Sequence, residues 1–135
     1  MDLVIDIFSK SDCSIIIVKN GSILLKNKEN EIRTLLEAID ELQDKMQKST
    51  IGINLLEKAS ALLCVFSRVA GVYSHRSTKK ALAVLIRAGI PGQTDEIIID
   101  PEVSNEKQDF LYEKRLSYID SPEFAYEILK EKIMK

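Results

Sequence analysis

The chain has 135 residues, of which 45% are hydrophobic and 30% charged, and its formal net charge at pH 7 is −2. This length and composition predict a single globular domain over residues 1–135, and they exclude a disordered or fibrous protein. The near-neutral charge gives no electrostatic reason to expect binding to nucleic acid or to a membrane surface.

The N-terminal part of the chain predicts a helix followed by a hairpin. Residues 3–8 suit a short helix with Asp2 as its cap. Residues 14–19 and 22–26 are apolar runs on either side of Asn20 and Gly21. Because Asn-Gly tolerates the two positive φ angles of a tight turn, the two runs predict antiparallel strands.

The middle of the chain alternates amphipathic and apolar segments. A helix begins at Asn30 and continues to Met46, with apolar residues on one face and acidic residues on the other. Residues 50–53 predict a strand. Residues 55–67 predict a second long helix, which is apolar nearly all round and should therefore be central and buried.

The pattern then repeats towards the C-terminus. Residues 71–74 predict a strand, residues 77–88 a third long helix that stops at Gly89, and residues 96–99 a fifth strand. Between 101 and 120 the apolar residues fit either a strand or a helical turn. A last helix begins at residues 121–123, where Ser, Pro and Glu form a typical helix start.

A hairpin followed by strand–helix alternations predicts the α/β class. We expect a five-stranded mixed sheet with helices on both faces, which is a three-layer α/β/α architecture. Right-handed crossovers would make the later strands parallel.

The order of elements resembles the cytidine-deaminase-like fold, and the chain is similar to a family of small prokaryotic proteins with that fold, domain of unknown function eighteen ninety-three. The resemblance covers nearly the whole chain and rests on four segments: residues 58–63, 72–73, 81–90 and, most clearly, 120–129. These are packing motifs, which specify a fold better than a function.

The chain also departs from the pattern of that family. Many members have a Cys-Pro pair shortly before the Glu-Lys that aligns with Glu113 and Lys114, where this chain has Phe110 and Leu111. Many also have a charged pair at the position of residues 53–54. An activity that used the family thiol is therefore not expected here.

Zinc deamination is excluded by the residue types at two helix starts. Zinc deaminases supply their metal ligands from a His-x-Glu at one helix start and a Pro-Cys-x-x-Cys at the next. The corresponding segments here, residues 28–31 and 53–56, contain neither His nor Cys. The sequence therefore predicts no metal site and no cofactor.

The segment from residue 74 to residue 80 is the first candidate for binding chemistry. It leaves a strand and enters a helix, where free backbone N–H groups and the helix dipole favour an anion such as phosphate. Ser74, His75, Arg76 and Ser77 are the candidate ligand-binding residues. The competing interpretation is that Ser74 or Ser77 caps the helix while the basic side chains are solvated, since no glycine-rich phosphate loop is present.

Three further residues are candidates through the resemblance or their position. Lys58, near the start of the central helix, either points into the pocket where the deaminase fold keeps its metal, contacting a ligand anion there, or lies along apolar surface. Asn54 is either the cap of that helix or a hydrogen-bonding group of the pocket. Glu113 lies in a segment that could cover the pocket and, beside His75, could form an acid–base pair.

Three functions remain open at this point. The first is binding of a small anionic ligand, nucleotide-like or phosphorylated, by a domain without a zinc site. The second is a metal-free enzyme of unknown reaction in the same pocket. The third is an interaction module whose acidic helix or C-terminal helix docks on a partner or on a second copy of the chain as a homodimer.

The N-terminus and the cysteines favour a cytoplasmic location. The first residues lack the basic region of a signal peptide, and the longest apolar stretch, residues 59–66, is shorter than the about 20 residues that a membrane span needs. Cys13 and Cys64 are expected to be buried and reduced.

Overall fold

The computed structural model describes residues 1–98 and 115–133. Its elements, in chain order, are α1 (Asp2–Ser9), β1 (Ile15–Lys19), β2 (Ser22–Asn27), α2 (Glu31–Leu42) with a 3-10 turn (Gln43–Met46), β3 (Thr50–Leu56), α3 (Lys58–Phe66), β4 (Gly71–Thr78), α4 (Lys79–Arg87), β5 (Gly92–Ile98) and α5 (Pro122–Ile133).

The strands form one sheet in the order β2-β1-β3-β4-β5. Strand β1 is antiparallel to both β2 and β3, whereas β3, β4 and β5 are parallel to one another. The predicted five-stranded mixed sheet is therefore confirmed, including the parallel arrangement of its later strands.

The two faces of the sheet are covered unequally. Helices α2, α3, α4 and α5 enclose the main core on one face, and Ile51, Ile53 and Val72 contribute to that core from the sheet. Helix α1 covers the other face, where Phe8 and Tyr73 belong to a smaller cluster. Successive residues of a strand point to opposite faces, so β4 sends Val72 to one core and Tyr73 to the other.

The hairpin turn is confirmed by its backbone angles. Asn20 has φ 52° and Gly21 has φ 79°, both in the left-handed region that a tight primed turn requires. The strands that it joins pair from Lys19 and Ser22 onward.

Two predicted helix starts are wrong because the preceding strands are longer than their apolar runs. Strand β3 continues to Leu56, so α3 starts at Lys58 instead of residue 55, and Asn54 is an exposed strand residue that caps nothing. Strand β4 continues to Thr78, whose side chain caps α4 by accepting from Ala81 N at 3.1 Å. Strand β4 includes polar residues near its end because its backbone pairs with both neighbouring strands there. A prediction that follows apolar residues alone ends the strand too early.

The helix caps at the two ends of the chain differ in outcome. Asp2 lies inside the first turn of α1 and does not cap it; Met1 is the residue at the cap position. At the C-terminal helix, Ser121 caps as predicted, since its Oγ accepts from Phe124 N at 3.2 Å.

The remaining sequence predictions concern single features. Helix α2 begins after Asn30 as predicted but ends at Leu42, because the chain continues to Met46 as a 3-10 turn. Strand β5 starts at Gly92, earlier than predicted, and the predicted residue 99 lies outside the described residues. Both cysteines are free and buried, as expected. In the described ranges, no helix is long and apolar enough to cross a membrane.

Candidate functional site

The carboxyl ends of the parallel strands meet at one edge of the sheet, where α3 and α4 begin. The start of β1 lies at the same edge, since Asn54 N donates to Ser14 O at 2.9 Å. The Ser14 hydroxyl contacts the carbonyl of Glu29, just before α2. The starts of α2 and α3 are thus brought together beside the sheet, at the edge where open α/β sheets bind ligands.

Lys58 is the buried cation of this edge. It is the first residue of α3 and is only 5% exposed. Its Nζ donates to Ser117 O at 2.9 Å and to Asp120 Oδ1 at 3.0 Å. The Asp120 side chain is 75% exposed, so the ion pair joins a buried cation to a carboxylate at the surface.

The elements on both sides of Lys58 fix its position. Glu57 and Ser60 form a capping box at the start of α3, with Glu57 N donating to Ser60 Oγ at 3.0 Å. Across from them, Leu116 is buried in the main core and accepts from Ile119 N at 3.0 Å. The turn of residues 116–120 is therefore anchored by packing at one end and by Lys58 at the other.

The electrostatics of Lys58 call for an anion. The N-terminus of a helix carries partial positive charge, so a cation at this position is disfavoured unless negative charge is near. Two carboxylates supply that charge: Asp120, which contacts Lys58, and Glu57, which is buried and caps the same helix start. The hydrogen bond and charge of Lys58 hold the pKa of Asp120 below its ordinary value.

The candidate residues of the 74–80 segment lie within β4, not at a helix start. Ser74 and Arg76 alternate with His75 along the strand and so belong to the sheet face that carries Val72 and α3. The Ser74 hydroxyl is buried and has no hydrogen-bond partner in the part of the chain that the structure describes. Ser77 does not cap a helix; its Oγ donates to Thr78 O at 3.1 Å.

His75 lies on the opposite face of the sheet, against α1. Its ring stacks on Phe8 with a centroid separation of 4.9 Å, and its Nδ1 is 3.1 Å from Asp95 Oδ2. Tyr73 donates to the same Asp95 oxygen at 2.6 Å. These hydrogen bonds, that from Tyr73 above all, lower the pKa of Asp95, and the carboxylate in turn raises the pKa of Tyr73.

This Tyr73–His75–Asp95 cluster was not predicted from the sequence. The signal that could have found it is the strand periodicity, which places Tyr73 and His75 on one face of β4, together with the pairing of β4 and β5.

The structure therefore does not bring all candidate residues into one pocket. Lys58 lies at the edge beside α3, whereas His75 lies beneath α1 on the other face. Asn54 is near the edge but exposed. Glu113 lies outside the described residues. An acid–base pair of Glu113 and His75 beside Lys58 would require His75 on the sheet face that carries α3. His75 lies on the opposite face, against α1.

Within residues 1–98 and 115–133, no three His, Cys, Asp or Glu side chains are grouped so that they could hold a metal ion. The expectation that the chain has no zinc site stays a prediction.

Comparisons with known proteins identify the family. Residues 3–133 match the family described as Domain of unknown function (DUF1893). The crystal structure of a DUF1893 family protein from Thermotoga maritima superposes with a TM-score of 0.82 and 21% identity, over 96% of this chain and 86% of that one. Acinetobacter baumannii RibD is similar with a TM-score of 0.51 and 17% identity, over 60% of this chain and 27% of RibD, which is consistent with the deaminase-like fold. No curated protein matches the chain. The match over nearly the full length shows that this chain belongs to the DUF1893 family.

Proposed function

We propose that this chain binds a small anionic ligand, nucleotide-like or phosphorylated, at the start of α3, with Lys58 as the central cation. The observation that carries the proposal is the asymmetry of the Lys58–Asp120 pair: the cation is 5% exposed and the carboxylate 75% exposed. The buried partner depends on an anion, whereas the exposed partner could be solvated without it.

The type of contacts on Lys58 favours recognition of an anionic oxygen. Its ammonium group donates to the Ser117 carbonyl oxygen and to the Asp120 carboxylate. A phosphate or carboxylate oxygen of a ligand has the same charge and acceptor chemistry as Asp120 Oδ1. The same donor could therefore hold either one.

Two residues of β4 support a site that extends from Lys58 over the sheet. Arg76 is paired in register with Leu55 at the end of β3, close in sequence to Lys58. Its planar guanidinium could hold a phosphate with two hydrogen bonds. The buried Ser74 hydroxyl lies on the same strand face and offers a hydrogen bond to a ligand group.

The experiment is a thermal-shift panel of inorganic phosphate, nucleoside mono- and diphosphates and small carboxylates. A ligand that binds only the folded state raises the melting temperature, and added salt should weaken the effect. Lys58→Met keeps most of the apolar stem and removes the charge, so it should abolish the shift. Lys132→Met, the same change at an exposed lysine of α5, should leave the shift intact.

Two more variants test whether the ligand contacts only those residues of the 74–80 segment that share the sheet face of α3. Arg76→Ala should weaken binding, whereas His75→Ala should not, because His75 lies on the α1 face. If no anion stabilises the wild type, or if Lys58→Met responds as the wild type does, the proposal is wrong.

A second candidate is the interaction module, favoured by two exposed rings near the turn of residues 116–120. Tyr118 is 98% exposed and Phe124, in the first turn of α5, is 53% exposed. Such side chains could dock on a partner or on a second copy in a homodimer. Light scattering after size-exclusion chromatography, compared with a Tyr118→Ser and Phe124→Ser variant, tests the homodimer.

The enzyme alternative gains no support from the site, since His75 is remote from Lys58. A cytoplasmic location and the absence of nucleic-acid and membrane partners remain part of the proposal. The near-neutral net charge supports the absence of nucleic-acid and membrane partners.

A further inference from the structure

We infer that Asp120 is a built-in competitor for the anion site, so that a ligand reaches Lys58 only by displacing the Asp120 carboxylate. This inference rests on the proposed function and adds its regulation. The 116–120 turn would then have two positions, one with Asp120 on Lys58 and one with the ligand in its place.

The first argument is that Asp120 already accepts from the Lys58 N–H group that would donate to the ligand. Asp120 Oδ1 lies 3.0 Å from Lys58 Nζ, a full hydrogen-bond contact. No second anionic oxygen can use the same N–H direction at the same time. A ligand that accepts from this N–H group and the Asp120 carboxylate therefore exclude each other.

The second argument is that release of Asp120 costs little on the carboxylate side. Its side chain is 75% exposed in the closed position, so water can replace the lysine as its partner. The Arg87 guanidinium on α4 also acts to lower the pKa of Asp120. A second cation is thus within electrostatic reach of a displaced carboxylate.

The third argument is that the turn can open without unfolding the domain. Leu116 remains anchored in the main core, and Ser121 caps α5 through Phe124 N. Between these two fixed points, the contacts of the turn include those of Ile119 N with Leu116 O and of Lys58 Nζ with Ser117 O and Asp120 Oδ1. Displacement of Asp120 would break the last of these and loosen the others.

The test measures the dissociation constant of inorganic phosphate by isothermal titration, for the wild type and two isosteric variants. Asp120→Asn keeps the side-chain shape and removes the competing charge. Asp6→Asn makes the same change in the exposed Lys10–Asp6 pair of α1, at 3.1 Å, and is the matched control. If the closed turn holds about nine-tenths of the molecules, Asp120→Asn should bind phosphate about 10-fold more tightly, and Asp6→Asn should equal the wild type.

The outcomes separate the inference from the proposed function. Tighter binding in Asp120→Asn than in the wild type supports the inference. If the wild type binds phosphate and Lys58→Met does not, but Asp120→Asn binds equally or more weakly, Asp120 is no competitor and the proposed function stands. If the wild type binds no anion of the panel, the proposed function and the inference that rests on it are both overturned.

Hydrogen exchange on the unmodified protein gives a second measurement, which does not depend on how well Asp120→Asn folds. Saturating phosphate should speed exchange of the Ile119 amide, because the turn opens, while amides of β3 remain protected. Unchanged or slower exchange of Ile119 in phosphate-bound protein would overturn the inference.

Discussion

Replacement of Gly52 with alanine tests how closely α1 packs on the sheet. Gly52 lies on β3, and an added methyl group would be 3.0 Å from Phe8 Cγ, 3.2 Å from Phe8 Cβ and 3.0 Å from Ile16 Cγ2. Phe8 and Ile16 are both buried, so neither side chain can turn into solvent. Because Phe8 Cβ is attached directly to the backbone of α1, relief of the contact requires movement of the helix.

Two effects of opposite sign set the magnitude. Alanine reduces the conformational freedom of the unfolded chain, which stabilises the folded state by about 0.4–1 kcal/mol where the native backbone tolerates it. Overpacking of a filled core costs about 1–3 kcal/mol. Since three contacts are at or near the closest approach that carbon atoms allow, the second effect should win. We expect the free energy of unfolding to fall by about 1 kcal/mol.

Urea unfolding followed by circular dichroism measures this change as a lower midpoint with an unchanged slope. A double-mutant cycle with Phe8→Leu identifies the cause, because the smaller side chain should reduce the cost of Gly52→Ala. A Gly52→Ala protein as stable as the wild type, or an equal cost in both backgrounds, would refute the close packing of α1 on β3.

Four further predictions address the turn, the buried thiol, the α1-face cluster and the metal. Gly21→Val should destabilise the protein by about 1 kcal/mol or more through backbone strain alone, since φ is 79° and no atom lies within 4 Å of the new Cβ; an unchanged urea midpoint would contradict this. Burial raises the pKa of Cys64 to about 12, so mass spectrometry should find its thiol unmodified by iodoacetamide at pH 8 until the protein unfolds. Tyr73→Phe should raise the pKa of Asp95, measured by NMR titration. The lowered Asp95 pKa stabilises the folded state above about pH 4, and this stabilisation is lost as the pH falls further. The decrease in stability at acid pH should therefore be smaller in the variant. Elemental analysis after dialysis should find far less than one zinc per chain.

Hydrophobic periodicity was sufficient to predict the long helices and the central strands, because these elements bury apolar residues in the main core. The hairpin was predicted most closely, since only the Asn20–Gly21 turn chemistry is needed. The ends of β3 and β4 were not predicted. Residues such as Ser77 are held in the strand by hydrogen bonds to neighbouring strands, and those partners are distant in sequence.

The candidate site was predicted only in part, and for the same reason. Lys58 was found through the family resemblance, but its partner Asp120 lies 62 residues away. No local sequence pattern indicates that a carboxylate so distant in sequence contacts this lysine. His75 was predicted to lie with Ser74 and Arg76 at a helix start. Strand β4 continues through these residues, and a strand places consecutive side chains on opposite faces of the sheet.

Lys58 supplies a positive charge, whereas the site of a zinc deaminase supplies negative and neutral ligands for a positive metal ion. There, thiolate and imidazole ligands at the helix starts gather around a cation that the protein takes up, and the substrate is a neutral base. Here the cation is attached to the chain at the start of α3 and is buried, so the charge that balances it must be an anion. The fold supplies that anion from Asp120, on a turn whose carboxylate faces solvent. Under the proposed function, a ligand that competes for this position brings negative charge, and phosphate compounds are the first class to test.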